Sequence, residues 1–366
     1  MSLSLLGIGT ATPPRRIPQA AAAALAASFI DGPASARTLA AIYRQTRIRS
    51  RGSVLLDEPG GEAYAQSFFP PASEACPSGP TTAARMERYA ADAGPLATAA
   101  ARRALADAAV DASEVTHLVT CSCTGFSSPG VDIEIMAALG IGPTATRTHI
   151  GFMGCHAAFN ALRVAHAYAQ ADADSVPLVV CVELCSLHFQ YGPRSDLVVA
   201  NSIFADGAAA AVGRGSPSLA RPGWTLRRQW SHLLPDSTAA MGWTIGDHGF
   251  EMQLAATVPA TVARHLPGAV DAALAEAGLG RRDVAAWAVH PGGPRVLSGV
   301  AEALDLPAGA LDASWEVLAE HGNMSSGTIL FILERLVRGG ARGPCAALAF
   351  GPGLTVELAV FDAAPT

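Results

Sequence analysis

Lysine is absent from this chain, and all 25 basic side chains are arginine. That absence removes Schiff-base chemistry and the phosphate-cradling lysine of a P-loop. Charge is sparse, at 15% of 366 residues, and the formal net charge is −6 with no extended basic run. No nucleic-acid partner is expected on that balance. No window approaches the roughly 18 apolar residues that a membrane-spanning helix needs. Residues 1–7 lack the basic start and long apolar core of a secretory leader. The expectation is a cytoplasmic protein with no integral membrane association. The seven cysteines, at 76, 121, 123, 155, 181, 185 and 345, show no zinc spacing, so reduced thiols and no metal site are expected.

What is present is a core. Hydrophobic residues make up 50% of the chain and mean hydropathy is +0.28. The length exceeds one small core and suits two halves. A Gly/Ser/Pro connection through Gly223 marks the boundary between residues 1–222 and 223–366. Short apolar runs at 117–123, 177–184, 284–289, 345–350 and 354–361 read as strands, and longer patterns at 83–109, 157–169, 257–277 and 327–337 as helices. This alternation predicts a largely parallel α/β architecture. Residues 56–82, rich in Gly, Pro, Ser and Glu, read as a long loop.

Three stretches carry chemistry. Gly151-Phe152-Met153-Gly154-Cys155 reads as a strand, a glycine turn and a helix start bearing a cysteine. A helix N-terminus and a nearby histidine both lower a thiol pKa, which favours the nucleophilic thiolate; packing at a strand–helix junction is the plainer alternative. His156 is adjacent, but the next residue of a helix points about 100° away. His290, at a strand end before Pro291-Gly292-Gly293, is the better base. Asn323, in Gly322-Asn323-Met324-Ser325-Ser326, opens a helix as Cys155 does; read alone it is a helix cap. The two halves therefore rhyme, each placing a reactive group at a helix start. Cys, His and Asn together suit a decarboxylating condensing enzyme, because decarboxylation puts charge on a thioester oxygen that fixed donors stabilise.

These stretches, with Gly351-Pro352-Gly353-Leu354-Thr355-Val356-Glu357, resemble the type III polyketide synthases, the chalcone synthase-like enzymes of the thiolase fold, along the whole chain. The resemblance implies a duplicated, five-layered αβαβα fold and a homodimer. It also implies acyl-CoA and malonyl-CoA as substrates, with no metal or organic cofactor. Cys155 would then be the nucleophile, with His290 and Asn323 holding the thioester oxygen of malonyl-CoA. Phe204 would be an aromatic gatekeeper, and Met252 stands where a second aromatic is usual. Cys123, Cys185, His188 and Trp243 fall at cavity positions, as do Ser325, Gly292 and Gly293, and Ser128 at one that reaches a partner's cavity. Without lysine, the CoA phosphates would fall to Arg44, Arg47, Arg49 or Arg295. The Met252 position and the bacterial pattern Met241-Gly242-Trp243 favour a fatty acyl starter and an alkylpyrone or alkylresorcinol product. The alternatives are a malonyl-CoA-only tetrahydroxynaphthalene-type synthase and a single-condensation ketoacyl-ACP synthase III-like enzyme.

Overall fold

A computed structural model describes residues 2–29, 33–57, 64–74, 76–216, 224–255 and 257–363. The expected boundary near Gly223 lies outside the described residues. The first half runs β1 (Ser2–Ala11), β2 (Arg16–Pro18), α1 (Gln19–Ala27), α2 (Pro33–Gln45), β3 (Ser50–Gly52), α3 (Thr82–Ala108), β4 (His117–Ser122), α4 (Val131–Leu139), β5 (Thr146–Gly151), α5 (Ala157–Ala171), β6 (Pro177–Leu184), α6 (Ser195–Ile203) and β7 (Asp206–Ser216). The second runs β8 (Trp224–Leu233), β9 (Met241–Gly246), β10 (Gly249–Leu254), α7 (Val258–Glu276), β11 (Ala286–Val289), α8 (Pro294–Ala303), α9 (Asp312–His321), α10 (Thr328–Arg338), β12 (Gly343–Gly351) and β13 (Thr355–Ala363).

Nine strands form one sheet in the order β11-β12-β13-β8-β1-β7-β6-β4-β5. The sheet is mixed, and this corrects the largely parallel expectation. Only β4–β5, β4–β6 and β11–β12 pair parallel; β6–β7, β7–β1, β1–β8, β8–β13 and β12–β13 are antiparallel. The physical reason is visible at β12 and β13, which are joined by a short Gly-Pro-Gly-Leu turn. A turn that short reverses the chain, whereas a parallel neighbour needs a crossover of a dozen or more residues.

Read within each half, the order exposes a repeat. From β5 through β4, β6 and β7 to β1, the first half matches β11, β12, β13 and β8 of the second, with the β5 equivalent missing. The sense of each corresponding pairing is the same. The layers follow from the period-two alternation of the strands. Leu118, Val180, Ala208 and Ala210 pack against Ala97, Ala100 and Ala104 of α3. Their neighbours Val119, Cys181, Ala209 and Ala211 turn the other way, to Phe159 and Leu162 of α5 and Ile329 and Leu330 of α10. In the second half, Ala347 and Ala359 join that central layer, while Ala346, Leu348 and Val360 face Leu266, Val270 and Leu274 of α7 and Leu297 of α8. Helix, sheet, helix, sheet, helix: five layers. The two buried helices at the centre, α5 and α10, begin at the Cys155 and Asn323 turns.

Candidate active site

Cys155 sits in a single 3-10 turn, Gly154–His156, that feeds α5; a matching turn, Ser325–Gly327, feeds α10. Gly154 is at φ +73°, and a Cβ there would lie 2.5 Å from Pro352 of the closing Gly-Pro-Gly turn. A Cβ on Gly351 would lie 2.2 Å from the His156 ring. Both glycines are therefore demanded by close approach, and the last motif of the chain packs directly on the Cys155 turn. His156 is turned away from the cavity, its Nδ1 2.9 Å from Asn160 Oδ1. Glu357, in the same closing motif, accepts from Arg163 of α5 at 2.5 Å. Thus α5 is tied to the second half at its first two turns.

The two halves meet at the thiol. The Ser325 and Asn323 side chains, from the second half, both reach the Cys155 thiol of the first and act to lower its pKa. Asn323 is 1% exposed, and its Oδ1 accepts the Ser325 N–H at 2.8 Å, which aims its amide donors. Its backbone is sewn to the gatekeeper segment: Asn323 N–H donates to Ile203 O at 3.0 Å, and Ala205 N–H to Asn323 O at 2.9 Å. His290 ends β11, fully buried, and neither imidazole nitrogen has a hydrogen-bond partner. An unpaired buried imidazole is costly, so both nitrogens remain available to a substrate oxygen or a proton.

The electrostatics differ from the helix-start expectation. Burial pushes the Cys155 thiol up to about 12, only partly offset by the Ser325 and Asn323 side chains, and nearby Glu183 pushes the same way as burial. Burial also takes His290 down to about 3. Desolvation of each group outweighs the end of α5, which starts one 3-10 turn later than the cysteine. No hydrogen bond joins His290 to Cys155, and burial keeps the thiol protonated and the imidazole neutral.

A small cavity surrounds the thiol. It is lined by Cys123, Cys155, Cys185, Phe204, Trp243, Met252, Ser325 and Pro352, among others. Six of the expected cavity residues thus meet there. Cys123 does more than line it, because its Sγ accepts the Gly154 N–H at 3.0 Å and steadies the turn before the nucleophile. Four expectations are placed elsewhere. His188 is a bridge rather than a free ring: Nε2 donates to Thr124 O at 2.6 Å and Nδ1 accepts the Phe250 N–H at 3.0 Å, with burial holding its pKa down to about 3. Gly292 and Gly293 lead into α8 and line neither this cavity nor its larger neighbour. Ser128 is exposed and lines neither of these two cavities. Of the arginines, Arg44, Arg47, Arg49 and Arg295 are all exposed. Arg47 lies 4.8 Å from the Trp315 ring of α9, and Arg49 pairs with Glu320 at the end of the same helix.

Sequence reasoning missed Glu183. This carboxylate is fully buried in β6, two residues before Cys185, and accepts from Cys123 N–H at 2.9 Å, Thr124 Oγ1 at 2.8 Å and Ser326 Oγ at 2.5 Å. Burial raises its pKa against those bonds. The signal was there: Glu183 is the lone charge in the otherwise apolar run Pro177–Leu184.

Comparison with known proteins bears on this geometry. The family model described as chalcone and stilbene synthases, N-terminal domain, matches residues 2–217, and its C-terminal counterpart matches residues 225–365. The chain is a type III polyketide synthase of the chalcone and stilbene synthase family. The synthase is 33% identical over 363 residues to the alpha-pyrone synthesis polyketide synthase-like Pks18 of Mycobacterium tuberculosis, covering 97% of this chain and 90% of that one. It is 37% identical over 267 residues to the 1,3,6,8-tetrahydroxynaphthalene synthase of Streptomyces peucetius subsp. caesius, covering 72% and 71%. Among solved structures, the C-terminal type III polyketide synthase domain of Steely1, a type I/III hybrid from Dictyostelium, superposes with a TM-score of 0.89 at 27% identity over 99% of both chains. PKS-I of the brown alga Ectocarpus siliculosus gives 0.89 at 29% identity over 100% of this chain and 99% of that one. The fold is thus the thiolase-like one that the resemblance implied. No helix among the described residues is long and apolar enough to cross a membrane.

Proposed function

We propose that the synthase loads a fatty acyl group from its CoA thioester onto Cys155, extends it with malonyl-CoA, and releases an alkylpyrone or alkylresorcinol. The observation that carries the site assignment is the meeting of the two halves at one sulfur: Ser325 of the second half lines the same small cavity as Cys155 of the first, and Ser325 and Asn323 both act on the thiol. His290 takes the thiol proton as the sulfur attacks the thioester carbonyl, and CoA leaves. Malonyl-CoA then loses carbon dioxide while His290 and Asn323 hold the thioester oxygen that becomes the enolate oxygen. The enolate carbon attacks the acyl carbonyl on Cys155; a C–C bond forms, the C–S bond breaks, and the thiolate returns. After the chain returns to Cys155 and is extended again, an enol oxygen attacks the thioester carbonyl and the thiolate leaves, which releases the pyrone. For a resorcinol, an enolate carbon closes on a chain ketone with loss of water, and water hydrolyses the thioester before carbon dioxide is lost. These steps ask for no metal or organic cofactor.

Support for a pyrone product comes from the similarity to Pks18, whose name specifies alpha-pyrone synthesis, over nearly the whole chain. Met252, flexible and unbranched, stands in the cavity wall where it yields to a chain more readily than an aromatic would. The similarity to a tetrahydroxynaphthalene synthase favours a second reading, in which malonyl-CoA is both starter and extender. We assign the CoA phosphates to Arg44, Arg47 and Arg295, in a cytoplasmic homodimer in which Ser128 reaches the partner. Arg44 and Arg295 make no ion pair among the described residues, which leaves their guanidinium forks to a phosphate.

The test is intact-protein mass after exposure to a panel of acyl-CoAs, followed by malonyl-CoA and analysis of the small products. The expected result is a mass gain on Cys155 and products several acetate units longer than the starter. No gain with any CoA thioester, or a single extension only, would remove this reading.

A further inference from the structure

Two histidines of the site are buried, His156 at 2% and His290 at 1% exposure, and the proposed chemistry uses only His290. His156 starts a string of side chains along one face of α5, where Asn160 and Arg163 follow at helical spacing. His156 Nδ1 lies 2.9 Å from Asn160 Oδ1, and Asn160 Nδ2 donates to Glu357 Oε1 at 3.5 Å. Arg163 donates to both Glu357 oxygens, at 3.5 and 2.5 Å. The Glu357 side chain is 1% exposed, and Arg163, at 38%, carries the string to solvent. A buried ion pair adds little net stability, because desolvation cancels most of the attraction. Its larger effect here is on the imidazole it holds.

Asn160 Oδ1 accepts, so the neutral His156 ring carries its proton on Nδ1 and is basic at Nε2. That edge lies against the end of β12, where a Cβ on Gly351 would sit 2.7 Å from Nε2. Three residues earlier on the same strand, Leu348 O accepts the His290 N–H at 2.8 Å. Both histidines are thus seated on the end of β12, close enough that positive charge on His156 weighs against positive charge on His290. The other groups packed around His156 add no charge: the Cys155 thiol, the Gly351-Pro352 turn, the Ser325–Gly327 turn, and Gln229 of β8, which bonds Phe159 O. Glu183 of β6 faces Cys123, Thr124 and Ser326 instead. Glu357 and Arg163 cancel, so the string is uncharged while His156 is neutral and positive once Nε2 takes a proton. Burial lowers the His156 pKa; Asn160 and Glu357 pull it up, and Arg163 pulls it down.

We propose that His156 is a positioning residue for His290, held as its neutral Nδ1–H tautomer by Asn160, Glu357 and Arg163 so that His290 can take the Cys155 proton. The uncharged ground that His156 leaves beside His290 is what lets a buried imidazolium form there. A proton on His156 blocks that step, since two like charges in one desolvated pocket repel strongly. The proton count closes without His156. The proton leaves Sγ for His290 as Sγ bonds the thioester carbonyl, and it departs with the CoA thiol. The proposal rests on His290 serving the thiol, as in the reading above, and adds the residue that governs it.

The experiment follows alkylation of Cys155 by iodoacetamide, read by peptide mass from about pH 4 to pH 8, in the full-length wild type, His156→Phe, Arg163→Gln and His290→Gln. Thermal unfolding is recorded at each pH. Iodoacetamide needs no starter, so the result does not depend on which acyl-CoA the synthase takes. Wild type is expected to show a break below the ordinary imidazole value, beneath which the rate falls more steeply, by up to a further factor of about ten per pH unit. His156→Phe should lose that break. Arg163→Gln removes a positive charge, makes His156 easier to protonate and should move the break to higher pH. It changes a half-exposed side chain and carries the test if His156→Phe does not fold. His290→Gln should react more slowly and show no break, because His156 acts through His290. Folded His156 and Arg163 variants that keep the wild-type break would overturn the inference and leave the role of His290 standing, as would a break retained in a slower His290→Gln. A His290→Gln rate equal to wild type at every pH would overturn the role of His290, and the inference with it.

Discussion

The Cys155 and Asn323 turns occupy equivalent places in the repeated topology, each a 3-10 turn that opens a central helix. Their surroundings differ sharply. Ahead of Cys155, Phe152 and Met153 are each 38% exposed, and the thiol opens onto the cavity. Ahead of Ser325, Met324 is fully buried, with its sulfur against Gly207, and Asn323 is held on both sides by backbone bonds to the gatekeeper segment. In the proposed mechanism, the open turn lets a group on it react and carry a chain, and the clamped turn keeps its donors aimed while charge develops in front of them. Duplication supplied two matching sites, and packing divided the labour between them.

Removing the reactive member should have the largest effect. Cys155→Ala is expected to abolish acylation and polyketide formation together, read by intact mass and product chromatography; surviving products would mean that the open turn is not the nucleophile's. Removing the clamped member should spare loading and slow extension. For Asn323→Ala, a loss of about 10²–10³ in kcat is expected with acyl-Cys155 still forming, the size seen when one oxyanion donor is lost. Equal losses in both steps would erase the proposed division.

His290→Gln sharpens the comparison through pH. A thiol pushed up to about 12 by burial is almost wholly protonated at neutrality, and its thiolate fraction grows about tenfold per pH unit below that value. Without the imidazole, alkylation of Cys155 by iodoacetamide should follow that slope from pH 7 to pH 9. With it, the slope should be shallower and the rate at pH 7 higher by about tenfold or more. Identical profiles would show that His290 does not serve the thiol. The smallest change expected is for Trp243→Phe, which loses the bond from Trp243 Nε1 to Cys123 O at 2.7 Å. About 1 kcal/mol of stability should go, together with a shift in product chain length. An unchanged product profile would mean that Trp243 only packs.

How much of this was legible in the sequence depends on how local the cause is. The Cys155 and Asn323 turns were readable because close approach demands glycine beside them, and glycine is a letter in the chain. Most helices and buried strands were readable from their periods. The antiparallel neighbours were not, since pairing sense is decided by partners far away in sequence. Strand β9 escaped because Met241–Gly246 is half-exposed and pairs only with β10. The thiol's pKa was misjudged for the same reason: a helix start is a local feature, whereas desolvation is contributed by everything that encloses the group. Glu183 was visible as one charge among apolar residues, yet two of its three donors come from the loop after β4 and the third from the Ser326 turn.

The β9–β10 hairpin bears on how such an enzyme changes its product. Its inner face supplies Trp243 and Met252 to both cavities. It is fixed by the Trp243 indole N–H to Cys123 O and by main-chain groups, the Phe250 N–H to His188 and the Gly246 and Asp247 carbonyls at its tip to Thr82. None of these attachments involves Cys155, His290 or Asn323. The hairpin is therefore a removable panel in an otherwise permanent frame. A lineage, or an engineer, can exchange it whole, keep the rivets at 123, 188 and 82, and obtain a differently shaped chamber around unaltered chemistry.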